Sequence, residues 1–206
     1  MSSVDSLTDE VRAHRKPAHD VLPLLVNRWS PRSMTGETLQ DEEFLALFEA
    51  ARWAPSSFNN QPWRFIVARR QDAADFAKFA DLLVPGNREW AKEAAALVVV
   101  VSRTTFEYNN KPSITHAFDT GAAWENLALE ACRRGLVAHG MQGFDYARAK
   151  TDLGVPDGYE VHAMLAIGKR GPREKLPEKP RAAEQPNDRK PLREILFNGA
   201  FGRPME

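Results

Sequence analysis

Two clusters of residues in this chain could do chemistry by their types and spacing. The first is Ala54-Pro-Ser-Ser-Phe-Asn-Asn-Gln-Pro-Trp-Arg-Phe65. Pro55 and Pro62 push the preceding Ala54 and Gln61 out of helical geometry, which fixes a polar loop. Ser56, Ser57, Asn59, Asn60 and Gln61 lie between the prolines, and their carboxamides carry donors and acceptors together. Such a loop suits a flat heterocycle whose edge offers both N–H and C=O. Ser, Asn and Pro also build ordinary helix-to-strand turns, so the loop alone leaves that alternative open. The second cluster is Arg28, Ser30 and Arg32, which alternate around Pro31. In an extended segment all three side chains point one way. Two guanidiniums and a hydroxyl match the oxygens of a phosphate. A solvated basic patch is the alternative there.

Other catalytic signatures are missing. The chain has no GxGxxG, no phosphate-binding GxxxxGK[ST], no GxSxG and no HExxH. His14, His19, His116, His139 and His162 show no metal-ligand spacing, so no metal site is expected. The carboxylates form no evident acid–base pair. An enzyme of this sequence has to draw its reactivity from a cofactor.

The elements that position these residues can be read from periodicity. Leu22 to Asn27 is a short apolar helix, and Asp41 to Trp53 an amphipathic one with an acidic first turn. Arg64 to Arg69 reads as a strand, Ala73 to Leu83 and Asn87 to Ala95 as helices. Leu97 to Ser102 is an apolar run dominated by β-branched valine, as a central strand requires. Asn109 to Ser113 is a loop. Thr115 to Arg134 is a long helix capped by Gly135. Gly121 inside it predicts a close helix–helix approach. Ala138 to Gly143 reads as a glycine-bearing loop, Tyr146 to Leu153 as a helix, and Glu160 to Gly168 as an alternating strand. The order α-β-α-α-β-α-α-β implies helices layered on a sheet.

The 206 residues suffice for one domain spanning 1–206, with 1–20 as a mobile polar leader and 172–206 as an arm. That arm is rich in proline and charge, then ends in apolar Leu192, Ile195, Leu196, Phe197 and Phe201. It is expected to cross to another subunit. Lys plus Arg equals Asp plus Glu at 28 each, which argues against non-specific nucleic-acid binding. No apolar run is long enough to span a bilayer, and residues 1–10 lack a secretory pattern. The lone Cys132 excludes an intrachain disulfide and a CxxC site and fits a cytoplasmic location.

Three motifs together carry a resemblance: Asn27-Arg-Trp-Ser-Pro-Arg-Ser-Met34, the proline-bounded loop, and Gly135-Leu-Val-Ala-His-Gly-Met-Gln-Gly-Phe144. Over residues 20 to 200 the chain resembles the nitroreductase family of FMN-dependent oxidoreductases. The resemblance implies an α+β, three-layer fold with a mostly antiparallel sheet flanked by helices. It also implies a C-terminal arm exchanged in a homodimer, with FMN bound tightly but non-covalently at the interface. Carried over, Arg28, Ser30 and Arg32 hold the phosphate and ribityl chain, and Trp29 lies beside them. Asn59 reaches the ring and Gln61 lies next to it. Pro55, Ser56 and Ser57 come from the partner chain. Gln142 and Gly143 lie against the pyrimidine side, with a backbone N–H near flavin N5. Arg189, ahead of Lys190 and Arg203, completes the phosphate site. Trp29, Phe58, Trp63, Trp90 and Phe106 are candidates for the pocket wall. The implied activity is ping-pong reduction of nitroaromatic, quinone or related acceptors by NAD(P)H. The alternatives are a flavin reductase, a reductase of one metabolite, and a flavin-binding module without turnover.

Overall fold

A computed structural model describes residues 5–205; residues 1–4 and 206 lie outside the described part. Its centre is a four-stranded, fully antiparallel sheet in the order β1-β2-β4-β3. The strands are β1 Trp63–Arg69, β2 Ala96–Arg103, β3 Leu136–Met141 and β4 Tyr159–Lys169. The β-branched run becomes β2, buried almost throughout between β1 and β4.

Alternation along β2 and β4 feeds two cores. Val98, Val100, Leu165 and Ile167 meet α3 (Asp41–Arg52) and α6 (His116–Arg133). Leu97, Val99, Val101, Met164 and Ala166 face the opposite way. There they meet α4 (Ala73–Leu82), α5 (Pro85–Ala91) and α7 (Tyr146–Asp152). The fold is therefore α+β in three layers, as expected.

The expected loop at 138–143 is instead the second half of β3. Leu136, Val137, Ala138 and Met141 are buried, and β3 pairs with β4 from Leu136↔Lys169 to Met141↔Met164. Gly140 marks a close approach rather than a turn, because a Cβ there would lie 3.3 Å from the Trp124 ring. Pro85 opens α5 rather than ending a helix, since its missing N–H costs nothing at a helix start. Among the described residues, a Cβ at Gly121 meets nothing within 4 Å, so the expected close helix–helix approach is not seen within them.

Part of segment 5–20 packs on the domain. Within α1 (Asp9–Arg12), Val11 is buried, and Arg15 is only 6% exposed. Polar composition hid both, because one apolar and one clamping side chain suffice to dock so short a segment. α2 (Pro23–Asn27) follows and ends at Arg28 in extended geometry. After β4 the chain makes a short 3₁₀ turn, then α8 (Glu178–Ala182), then a mostly exposed tail. Among the described residues no helix is long and apolar enough to cross a membrane.

Candidate cofactor site

Segment 28–32 runs between α6 and the end of β3. Arg28 is the C-cap of α2, and its Nε lies 3.2 Å from Glu125 Oε1 on α6. Among the described residues that buried Nε has no hydrogen-bond partner. Arg15 clamps the backbone from beneath. Its guanidinium donates to the carbonyls of Val26, Arg28 (2.8 Å) and Asn187 (2.9 Å). Its pKa lies below the usual arginine value through burial and through the nearby charges of Arg189 and Arg28. Pro31 O lies 2.9 Å from His139 Nδ1 on β3. Glu184, 2% exposed, accepts both the Arg32 and the Ser33 backbone N–H at 2.9–3.0 Å. The Arg32 side chain lines a cleft of about 450 Å³ with Trp90, Lys175 and Leu176. Trp29 stacks under the Arg170 guanidinium, 4.6 Å from ring centre.

Arg28 is thus held against α6, Pro31 against β3 and Arg32 by Glu184, and the late segment brings Arg189, itself exposed, near Arg15. Lys190 and Arg203 are exposed. Gln142 is exposed, just past β3. Gly143 is required by space, since a Cβ would sit 2.6 Å from Asn87 Nδ2. Its carbonyl accepts Val84 N–H and Asn87 Nδ2, each at 3.1 Å. That fixes the peptide plane beside it.

The proline-bounded loop holds three non-glycine residues at positive φ: Phe58 (52°), Asn59 (52°) and Gln61 (48°). Residues outside the favoured regions cost about 1–3 kcal/mol each, and such strain clusters at functional sites. The loop is pinned from α6, where the buried Asp119 carboxylate accepts Ser57 N–H at 3.0 Å. Ser56 Oγ accepts Gln61 N–H at 3.0 Å, and Gln61 Nε2 donates to Asn59 O and Oδ1 at 3.2 Å. Pro55 is exposed at the loop's start. Of the wall candidates, Trp63 and Trp90 are core residues. Phe58 and Phe106 form an aromatic cluster with Tyr108.

The loop precedes β1 and Gly143 follows β3, and these strands are opposite edges of the sheet. Three strand spacings separate them, about 14 Å. Arg15, Asp119 and Glu184 escaped the sequence reading, because isolated charges far apart in the chain leave no periodic signal.

A three-layer α+β domain with a phosphate-type basic corner and a strained carboxamide loop defines a recognisable class. The chain belongs to the nitroreductase family, whose model matches residues 25–169. It is similar to a solved oxidoreductase containing FMN at 42% identity, covering 92% of this chain and 96% of that one, with TM-score 0.87. A protein of Desulfovibrio desulfuricans, provisionally named a nitroreductase and solved in complex with FMN, is 25% identical. That match covers 90% of this chain and 99% of the other, with TM-score 0.68. A protein of Rhodopseudomonas palustris (strain TIE-1), provisionally named NADH dehydrogenase/NAD(P)H nitroreductase, is 30% identical over 76% of this chain and 86% of its own length.

Proposed function

We propose that the protein is an FMN-dependent oxidoreductase that uses NAD(P)H to reduce nitroaromatic, quinone or related acceptors, working as a homodimer in the cytoplasm. The observation that carries this reading is the basic corner. Arg28 and Arg189 both lie within electrostatic reach of Arg15, answered in part by Glu125 and Asp188. Gathering like charges is costly unless an anion joins them. Arg28, Ser30, Arg32 and Arg189 have the donor chemistry of a phosphate monoester site, and the buried, unbonded Arg28 Nε fits it. Asn59 and Gln61 supply donors and acceptors for a heterocycle edge. Gln142 and Gly143 would lie against the pyrimidine side of the ring, with a backbone N–H near flavin N5.

Bound FMN would supply the hydride chemistry that no side chain here offers. The chain's own part is to bind, orient and stabilise. Positive charge and N–H donors near the ring favour the reduced, more anionic form. In a homodimer a second copy would bring Pro55, Ser56 and Ser57 to the corner of the first. A face for that copy is present: Ile114 and Phe118 are 94% and 81% exposed, with Gly121 one turn further. Ile195, Leu196 and Phe201 of the arm are exposed as well.

The test is the visible spectrum of the purified protein, followed by anaerobic addition of NADH or NADPH. Flavin absorption that bleaches is the expected result. A protein that stays colourless after incubation with FMN removes the reading. Colour that neither donor bleaches leaves a binding module. A far higher kcat/KM for free FMN than for nitroaromatic or quinone acceptors would make it a flavin reductase.

A further inference from the structure

Beyond the candidate cofactor site, the start of α6 and the first half of β4 bring two imidazoles and a carboxylate together. Ser102 Oγ, on β2 and fully buried, lies 2.7 Å from His116 Nδ1 and 2.6 Å from His162 Nε2. His116 Nε2 lies 3.6 Å from Glu160 Oε2. One imidazole nitrogen of each histidine and one Glu160 oxygen all lie within 4.8 Å of one another. The cluster is built into the sheet. Val100 pairs with Ala163 and Val101 with Val161, which leaves His162 as the extra residue of a β-bulge. Bulges of this kind re-aim a side chain at the cost of ladder regularity.

We propose that His116, Glu160 and His162 bind a divalent transition metal, with zinc the best chemical match. Two imidazole nitrogens and one carboxylate oxygen are a set that zinc takes, with water as the fourth ligand. Ser102 suits the role of supporting residue. A hydroxyl oxygen has two lone pairs, so it can accept an N–H from each ring. The far nitrogen of each ring is then bare of hydrogen, as a metal ligand must be. A hydrogen bond on the second nitrogen fixes ring orientation and tautomer. The Glu160 side chain is 57% exposed and His116 15%, so the cluster has a buried wall and an open side for entry. The spacing from residue 116 to 160 and 162 belongs to no linear motif, which is why the sequence reading saw no site.

The test uses the full-length protein, made without a histidine tag and stripped with a chelator. Zn²⁺ is titrated in competition with a chromophoric chelator, and Co²⁺ by visible absorption. The expected result is one equivalent per chain and an intense, tetrahedral Co²⁺ spectrum. Glu160→Gln should weaken Zn²⁺ binding at least tenfold and His116→Gln/His162→Gln should abolish it. Ser102→Ala, which keeps all three ligands, should weaken it about 10–100-fold. Wild type binding Zn²⁺ no more tightly than Glu160→Gln, or a pale octahedral Co²⁺ spectrum, would overturn the proposal. If the double variant does not fold, Glu160→Gln carries the comparison, because its side chain is largely in solvent. Flavin content is not part of the readout, so the outcome is independent of the proposed oxidoreductase activity.

Discussion

The proline-bounded loop and segment 28–32 are both pieces of irregular backbone held by buried carboxylates, yet they are held in different ways. The loop is anchored from the central layers, by Asp119 on α6, and by its own Ser56–Gln61 bond. Segment 28–32 is anchored from outside the sheet, by Arg15, itself tied to the Asn187 carbonyl, on one side and by Glu184 on the other. The loop carries its own strain, whereas the segment borrows its rigidity. One half of the candidate site therefore stands on the central layers, and the other stands on segments outside the sheet.

Removing residues 172–206 puts the largest stress on that contrast. It deletes Glu184, Asn187 and Arg189 and should abolish flavin retention and weaken the dimer, read by absorbance and sedimentation. Amide exchange in residues 56–61 should stay slow. A monodisperse, fully yellow dimer would refute both the arm's role and the contrast. Arg28→Ala with Arg32→Ala comes next. Charge-assisted hydrogen bonds contribute about 1.5–3 kcal/mol each, so FMN affinity should fall by about 100-fold or more, and unchanged flavin content would end the phosphate assignment.

The two anchors can be compared directly by denaturant unfolding. Glu184→Ala leaves the Arg32 and Ser33 N–H groups without their acceptor, at about 3 kcal/mol in all. Asp119→Ala strands one N–H and one hydroxyl partner, Ser57 N–H and Thr115 Oγ1, at about 1–2 kcal/mol. Equal losses, or loosening of the loop by Glu184→Ala, would erase the distinction.

The smallest effect is a pH slope. His139 beneath segment 28–32 is held below its ordinary value of 6.5, chiefly by burial, and His162 in the same direction for the same first cause. A histidine of lowered pKa binds its proton more readily in the unfolded chain. Its contribution is complete above pH 6.5 and is lost as pH falls toward the folded-state value. Urea midpoints should therefore drop between pH 7.5 and 5.5, and less so in His139→Gln. An unchanged slope in that variant would assign the effect elsewhere.

Much of this was legible in the sequence because it is periodic or punctuated. The apolar run of β2, the alternation of β4 and the two prolines around residues 56–61 each announce local geometry. β3 was not, because Gly140 and Gly143 imitate a turn while serving as close contacts with Trp124 and Asn87. Asp119, Glu184 and Arg15 were not either, since their partners lie at remote points of the chain. The His116–Glu160–His162 cluster depends on a bulge, which shifts which residues share a face and leaves no pattern to count.

The clamp at Glu184 also has a consequence for the making of the protein. Chains are synthesised from the N-terminus at about 5–20 residues per second, and domains fold as they emerge. Every strand of the sheet is complete by residue 169, while the clamp and Arg189 come later. The nascent chain can therefore close its cores before it owns a finished anion corner. Products of premature termination between these points should accumulate as folded, colourless protein, so cofactor loading itself reports on complete translation.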